Sequence, residues 1–339
     1  MSRPFSRSSK NLRRALWLPA AAAGLLLAIL LAVSYGAKSI PLPEVWAAIF
    51  RFDADDEAHQ IIRNLRLPRA LGAAVTGMAF GAAGALMQGV TRNPLADTGI
   101  LGVNAGAAFV VALAFAFLPG LSYFNLILLS FTGAALATLF IVMLGSATPG
   151  GLSSLKLTIA GAVAAALLHS FSTGVAIYYG LSQDLAFWYA GGVAGVRWSH
   201  LKLLAPIVIV TLAWSVSMGR SITFLSLGDE SAVNLGVRAG RIRVLAMTAA
   251  VLLAGSSVSV AGAVGFVGLV APHVARRLVS VDYRLIIPMS ALLGGTLLEL
   301  ADIASRMVSP PREFAIGAMV ALVGVPFFLY LARKEGRSL

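Results

Sequence analysis

Apolar residues are gathered along this chain into ten stretches, separated mostly by short loops that hold Pro, Gly or charged residues. An α-helix needs about 20 apolar residues to cross the hydrocarbon core of a bilayer, and most of the stretches are close to that length. The pattern predicts an all-α, polytopic membrane protein with about ten transmembrane helices, although one short stretch leaves nine or eleven open. The stretches lie near 16–35, 70–90, 100–118, 122–145, 157–179, 201–217, 244–262, 264–279 (the short one), 285–305 and 314–332.

The composition supports a membrane protein and excludes two other classes. Apolar residues make up 58% of the 339 residues and charged residues only 12%, against about 25% charged residues in soluble domains. A soluble domain of this size could not bury so much apolar surface, and a disordered chain is poor in apolar residues. Cysteine is absent, which also excludes disulfides, thiolate metal sites and a cysteine nucleophile.

The basic residues are distributed unevenly between the predicted loops. The chain has 26 Lys and Arg residues against 14 Asp and Glu residues, a net charge of +12. If both termini are cytoplasmic, 17 of the 26 basic residues fall on the inner side and nine on the outer side. Because Lys and Arg favour cytoplasmic loops, this split supports that orientation. The positive charge is thus explained by topology, and we expect membrane lipid rather than nucleic acid as a partner.

The chain is predicted to form a single transmembrane domain, 15–335, preceded by a basic cytoplasmic N-terminus, 1–14. Two segments outside the membrane are long enough to carry function. Residues 36–66 are expected on the outer side and contain two prolines and a cluster of acidic residues. Residues 218–243 are expected on the inner side and predict two short polar helices rather than a linker.

Motifs for covalent chemistry are missing from the sequence. There is no G-x-x-x-x-G-K-[ST] phosphate-binding loop and no H-E-x-x-H zinc motif, and the four histidines are far apart. We therefore expect a chain that is not an enzyme, that binds no cofactor or metal and that does not itself hydrolyse ATP. Glu299, Asp302 and Arg306 share a helix face near its outer end, and the spacing of Asp302 and Arg306 predicts an ion pair. The carboxylate of a proton or sodium relay is expected nearer the bilayer midplane.

Five local strings carry a more specific signal, at 66–98, 188–198, 227–237, 261–277 and 324–328. In this order they resemble the FecCD-type permeases, the membrane subunits of ABC importers for iron chelates, haem and vitamin B12. The resemblance extends over about residues 36–332. It is imperfect at Glu313-Phe314-Ala315-Ile316-Gly317, where the family often has Glu-Leu-Pro-x-Gly, and at Asp97-Thr98-Gly99, where an acid followed by Pro-Gly is more usual.

The resemblance implies a type II ABC importer permease in the cytoplasmic membrane of a bacterium. Such a permease works as a dimer around a central pathway, so a second permease subunit is expected, either an identical chain or a similar paralogue. Two ABC ATPase subunits, which bind the ATP, are expected on the inner side and one substrate-binding protein on the outer side. The implied activity is inward transport of an iron chelate by alternating access. A ferric siderophore is the commonest cargo in the family, while haem and cobalamin stay open.

The expected ATPase contact falls on the inner segment 218–243. Two glycines would supply tight turns there, two acidic residues would cap and charge a helix N-terminus, and two apolar residues would form a small face. The alternative is a solvated loop between helices. In chain order these candidate residues are Gly228, Asp229, Glu230, Ala232, Leu235 and Gly236.

The resemblance also implies a docking site and a gate. Arg66, Arg69 and Arg306 match family positions that pair with glutamates of the binding protein, and a guanidinium can hold a carboxylate bidentately. Interfacial arginines whose head groups reach for water are the alternative. Ser153 and Ser154 match a possible inner gate at the start of a helix rich in small residues, a composition that packing explains equally well.

Two other functions stay open at this point. An ion-coupled secondary transporter would need no ATPase and would depend on Glu299 or Asp302. A structural membrane scaffold would transport nothing and would not depend on residues 228–236.

Overall fold

The computed structural model describes residues 6–36, 39–146, 154–310 and 312–335, and the described part of the chain is helical almost throughout. A π-helical turn, Ile62–Arg66, joins α3 directly to α4, and a 3-10 turn, Thr98–Leu101, precedes α5. In chain order the helices are α1 (Ser6–Ser34), α2 (Leu42–Phe50), α3 (Glu57–Ile61), α4 (Leu67–Thr91), α5 (Val103–Phe117), α6 (Tyr123–Ser146), α7 (Ser154–Tyr178), α8 (Ser182–Ala190), α9 (Trp198–Ser217), α10 (Gly219–Ser226), α11 (Asp229–Asn234), α12 (Ala239–Ala261), α13 (Val267–Leu278), α14 (Tyr283–Met307) and α15 (Ile316–Glu335).

Each of the ten apolar stretches coincides with a helix, which confirms the predicted all-α membrane fold. Seven helical segments of the described chain are long and apolar enough to cross a membrane. Two further apolar helices are shorter, α5 and the part of α15 from Ile316 to Leu331. The stretch 264–279 forms α13, which has only 12 residues. The seven longer segments are Leu16–Ser34, Glu57–Thr91, Tyr123–Gly145, Lys156–Tyr178, Trp198–Ser217, Ala239–Ala261 and Tyr283–Met307.

Helix α4 is the centre of the molecule and packs against α9, α12, α13 and α14. It is rich in Ala and Gly, and nearly all of its residues are buried. A Cβ atom on Gly77 would overlap the carbonyl of Gly294 in α14, and one on Gly81 would overlap the carbonyl of Ser290. Small residues thus let the two backbones approach closely, the usual way in which helices pack in a membrane.

The helices at the periphery of the bundle expose apolar rather than polar side chains. Helix α7 shows this most clearly, because Ile159, Val163, Leu167 and Phe171 are all exposed and recur every four residues along one face. Water would disfavour an apolar stripe of this length, whereas lipid or another membrane subunit covers it without cost. The described chain therefore has the surface of a membrane protein.

The two extramembrane segments have helices of their own. The segment 36–66, expected on the outer side, contains α2 and α3. The segment 218–243, expected on the inner side, contains α10 and α11, so the predicted pair of short helices is confirmed. Helix α10 is amphipathic rather than polar, since Ile222 and Leu225 are buried. Helix α1 begins at Ser6, within the basic segment 1–14, and its apolar part starts at Leu16.

Candidate docking and coupling sites

The structure brings the three predicted docking arginines together at one end of the bundle. Arg66 closes the π-helical turn before α4, Arg69 lies in the first turn of α4, and Arg306 lies in the last turn of α14. The guanidinium groups of Arg66 and Arg306 flank Gly36, and a Cβ atom there would lie 3.3 Å from Arg66 Nη2 and 3.4 Å from Arg306 Nη1. The fold thus brings together Arg66 and Arg306, which are 240 positions apart in the chain.

Arg66 and Arg306 bind the carboxyl end of α1. Arg66 Nη1 donates to the carbonyls of Val33 and Ser34, both at 2.9 Å. Arg306 Nη1 donates to the carbonyls of Ala32 at 3.1 Å and Tyr35 at 2.9 Å. The last carbonyls of a helix have no partner within it and carry partial negative charge, so two guanidinium groups stabilise this helix end. No local pattern of residues predicts this role, because it depends on where α1 ends in space.

Asp302 is the buried anchor of the cluster. Its side chain is 0% exposed and lies 2.8 Å from Arg69 Nη2 and 2.8 Å from Arg306 Nη2. Arg69 Nε also donates to Asp302 Oδ1 at 3.0 Å. A buried carboxylate is tolerated when charged donors surround it in this way. The predicted ion pair between Asp302 and Arg306 is confirmed, and Arg69 joins it from a second helix.

Arg69 has a second carboxylate partner, Glu313, in the loop between α14 and α15. Arg69 Nη1 lies 2.8 Å from Glu313 Oε1, and Arg69 Nη2 lies 2.9 Å from Glu313 Oε2, so the pair is bidentate. The Glu313 side chain is 43% exposed, whereas that of Arg69 is 12% exposed. The hydrogen bonds from Arg69 lower the pKa of Glu313 below its ordinary value. Glu313 was noted in the sequence only as part of a departure from the family pattern.

A cavity of about 800 Å³ opens beside this pair. Arg69 and Glu313 form part of its wall, and aromatic side chains such as Tyr123, Phe187 and Trp188 form much of the rest. Volumes of 300–1,000 Å³ with mainly apolar walls and few polar groups are typical of small-molecule sites. The start of α15 at Ile316 also lines the cavity.

The candidate coupling segment forms a short helix between two glycine turns. Gly228 has φ = 122° and Gly236 has φ = 80°, backbone conformations that strongly favour glycine. Helix α11 runs from Asp229 to Asn234 between them. All six candidate residues of this segment thus lie in one compact turn–helix–turn. This unit connects the end of α10 at Ser226 to the start of α12 at Ala239.

The predicted cap on α11 is wrong in detail. Gly228 occupies the cap position and has no side chain, so no side-chain cap bond forms. Asp229, in the first turn, instead lies 3.0 Å from Arg243 Nη2 in α12 and 3.6 Å from Arg92 Nη2 just after α4. Glu230 is exposed. Both acidic residues still place negative charge at the helix N-terminus, where the helix dipole favours it.

The predicted apolar face of α11 also needs correction. Ala232 is 0% exposed and packs into the main core, so it anchors the helix and is not available to a partner. Leu235 is exposed as predicted, and Val233 and Leu227 are exposed beside it. Helical spacing alone could not show which face of so short a segment turns inward, because the flanking glycine turns set its rotation.

The two gate residues give little further information. Ser153 lies outside the described residues, and Ser154 is the first residue of α7. Their role stays a prediction.

One group of described residues has the composition of a metal site, although His59 and Asp56 also make hydrogen bonds within the chain. Glu44, Asp56 and His59 have ligand atoms within 4.8 Å of one another. The Nδ1 atom of His59 accepts a hydrogen bond from the amide of Asp53 at 3.0 Å, and its Nε2 atom faces Glu44 at 3.3 Å. Asp56 caps α3 by accepting from the amides of Ala58 and His59. We therefore assign no metal to these residues.

Comparison with known proteins places this architecture in a family. The model of the FecCD transport family matches residues 24–334. The chain belongs to the FecCD transport family. As a FecCD member it is a transporter subunit rather than an enzyme, as the absence of catalytic motifs predicted.

Individual relatives within the FecCD family match nearly the whole chain. The Iron(3+)-hydroxamate import system permease protein FhuB of Bacillus subtilis (strain 168) is 48% identical over 93% of this chain and 82% of that protein. The Iron-uptake system permease protein FeuB of the same organism is 41% identical over 91% of this chain and 93% of that protein. A solved structure described as a metal-chelate type ABC transporter in an inward-facing conformation superposes with a TM-score of 0.82. It has 28% sequence identity and covers 94% of this chain and 98% of that chain.

Proposed function

We propose that this chain is the membrane-spanning subunit of an ATP-driven importer that carries a ferric chelate inward across a bacterial cytoplasmic membrane. The observation that carries the proposal is its 48% identity, over 93% of the chain, to a permease named for iron(3+)-hydroxamate import. A ferric siderophore is the proposed cargo, and a ferric hydroxamate is the first one to test. Haem and cobalamin are the other cargoes to compare.

The proposed assembly has partners on both sides of the membrane. Two ATPase subunits bind ATP and contact the inner side, and a substrate-binding protein docks on the outer side. A second permease, identical or paralogous, completes the pathway. Both termini are cytoplasmic in this arrangement, which agrees with the 17 to nine division of basic residues.

The inner contact is proposed at α11. Leu227, Val233 and Leu235 give an exposed apolar surface, and Glu230 adds an exposed charge beside it. Ala232 fastens the helix to the core, and Asp229 connects it to α12 through Arg243. Movement of a bound ATPase would therefore reach α12 directly, and through α12 the central helix α4. This is the lever needed for alternating access.

The outer contact is proposed at the arginine cluster. Arg66, Arg69 and Arg306 place three cations near one surface. Arg69 lines the cavity, whereas Arg66 and Arg306 bind the end of α1. Carboxylates on a docked binding protein are the natural partners of such a surface because guanidinium binds them bidentately. The chelate would enter the adjacent cavity once the binding protein opens.

ATP-coupled uptake in proteoliposomes tests the proposal. The chain is co-expressed with its ATPase and binding protein, and a radiolabelled ferric trihydroxamate is supplied with the binding protein on the outer side. We expect uptake only with ATP inside, and we expect Glu230→Arg and the double substitution Arg66→Glu with Arg69→Glu to reduce it strongly. Uptake that needs no ATP and follows an imposed ion gradient would instead identify a secondary transporter.

A further inference from the structure

The bonds made by Arg69 leave no free edge on its guanidinium group. Arginine has five N–H donors arranged around a plane. Asp302 Oδ1 takes Nε and Nη2, at 3.0 and 2.8 Å, and Glu313 takes Nη1 and Nη2, at 2.8 and 2.9 Å. Four donor–acceptor contacts therefore cover two edges of the group. A further carboxylate can bind Arg69 bidentately only by displacing one of these two residues.

The two carboxylates differ sharply in how easily they can be displaced. Asp302 is 0% exposed and is also bound by Arg306 within the same helix. Removing it would leave two buried cations without their shared partner, which is very unfavourable. Glu313 is 43% exposed and has Arg69 as its ion-pair partner. It lies in the connection between α14 and α15, so it can be exchanged for another carboxylate while Asp302 stays in place.

Glu313 also lies in the wall of the cavity, close to the start of α15. It stands three residues before Ile316, the first residue of α15, and both line the cavity with Arg69. The neighbouring amide of Phe314 donates to the carbonyl of Ser305 at 3.0 Å. The pair with Arg69 thus holds the start of α15 against the start of α4.

We propose that Glu313 is an internal competitor for Arg69, occupying the position that a carboxylate of the docked substrate-binding protein takes over. This inference rests on the proposed docking function. Docking exchanges one carboxylate for another, so the charge around Arg69 is conserved while Glu313 is released. The release frees the connection to α15 and loosens the cavity wall only when a binding protein is present.

The affinity of the binding protein for the transporter tests this exchange. The complete transporter with its ATPase is placed in lipid nanodiscs, and the dissociation constant of the purified binding protein is measured for four forms: the natural sequence, Glu313→Gln, Glu57→Gln and Arg69→Ala. Glu57 is the matched control, since it is an exposed carboxylate in the first turn of α3, within the segment 36–66, and makes no ion pair with Arg69. Glu313→Gln leaves Arg69 bound to Asp302, so no buried charge is orphaned.

We expect Glu313→Gln to tighten binding about five- to tenfold, because the partner no longer competes with a charged internal carboxylate. Glu57→Gln should change the dissociation constant less than about twofold, and Arg69→Ala should weaken binding. Equal tightening by Glu57→Gln would show that any lost negative charge strengthens binding, and it would overturn the proposal that Glu313 competes for Arg69. If Glu313→Gln binds equally or more weakly while Arg69→Ala binds more weakly, the proposal that Glu313 competes for Arg69 is overturned. The proposed docking site would then still stand. Unchanged binding of Arg69→Ala would overturn the role of Arg69 in docking, and the competitor with it.

Discussion

At the scale of single residues, the cluster formed by Arg66, Arg69, Arg306, Asp302 and Glu313 contains charged groups that make different contacts. Asp302 is buried and neutralises two arginines, whereas Glu313 is half-exposed and binds one of them. Arg66 and Arg306 stabilise the end of α1. The same arginines therefore already make structural bonds, Arg306 from a buried position, so a substitution there will affect stability as well as the proposed docking.

Asp302 is expected to be essential for stability. Asp302→Asn removes the charge that compensates Arg69 and Arg306 while keeping the side-chain size. Because breaking a buried ion pair leaves uncompensated charge, we expect a loss of about 3–5 kcal/mol, measured as a lower thermal unfolding midpoint in detergent. Glu57→Gln, which removes an exposed carboxylate, should unfold like the natural protein. An unchanged midpoint for Asp302→Asn would contradict the anchoring role.

The pair of Arg69 and Glu313 is expected to depend on pH in a defined direction. Folding lowers the pKa of Glu313 from its ordinary value of 4.5 because Arg69 binds the ionised form. A lowered pKa means that the stabilisation is fully present above pH 4.5 and is lost as the pH falls through the lower folded value.

Thermal unfolding of the natural protein and of Glu313→Gln between pH 7 and pH 3 measures this dependence. We expect the natural protein to unfold at the higher temperature from pH 7 down to about 4.5, and the two curves to converge at more acidic pH. A difference that persisted unchanged at pH 3 would show that charge on Glu313 is not its source.

At the scale of elements, the close contact of α4 with α14 organises the bundle. The glycines at positions 77, 81 and 294 place backbone against backbone, which no larger residue permits. The outer charge cluster joins the same two helices, since Arg69 starts α4 and Asp302 lies near the end of α14. Two kinds of contact therefore hold α4 against α14: close packing of glycines within the bundle, and ion pairs at one end of it.

Gly77→Ala tests this packing. The added methyl group would overlap the carbonyl of Gly294, and overpacking of this kind costs about 1–3 kcal/mol. We expect a lower unfolding midpoint and less protein in the membrane. Gly24→Ala is the matched control, because a Cβ atom at Gly24 in α1 has nothing within 4 Å. Equal effects of the two substitutions would contradict close packing at Gly77.

At the scale of the whole molecule, the proposed docking and coupling sites lie at opposite ends of the same central helix. Arg69 is in the first turn of α4, and Arg92, which follows its last residue, faces Asp229 of α11 at 3.6 Å. Helix α4 thus carries a residue of the proposed docking site at one end, and at its other end it leads into Arg92, which faces the proposed coupling helix. A rigid helix between two sites is a direct route for coupling the binding of one partner to the movement of the other.

Leu235→Asp is expected to separate transport from folding. Leu235 is exposed directly after α11, so the substitution should leave the unfolding midpoint unchanged within experimental error. It should weaken co-purification of the ATPase and reduce ATP-driven uptake about tenfold or more, since charge in an apolar contact is costly. Asn234→Asp adds the same side chain one position away without removing an apolar group. If Asn234→Asp reduced uptake equally, the added charge alone, rather than the loss of an apolar contact at Leu235, would explain the effect.

Local patterns along the chain were sufficient to predict the class of the molecule. Helices in a bilayer must be long and apolar and must satisfy their own backbone, so the ten stretches and the two short inner helices could be read from composition and spacing. The ion pair of Asp302 with Arg306 followed from their separation by four residues. These features depend on local periodicity, which the linear chain contains in full.

Tertiary structure alone decided how those elements face one another. Arg69 and Glu313 are 244 positions apart, and nothing in their local sequence identifies them as partners. The burial of Ala232 depends on the rotation of α11 between its glycine turns, and the binding of Arg66 to α1 depends on where that helix ends. Each of these is a contact between distant segments, and packing of the whole bundle, rather than any local pattern, determines which distant groups meet.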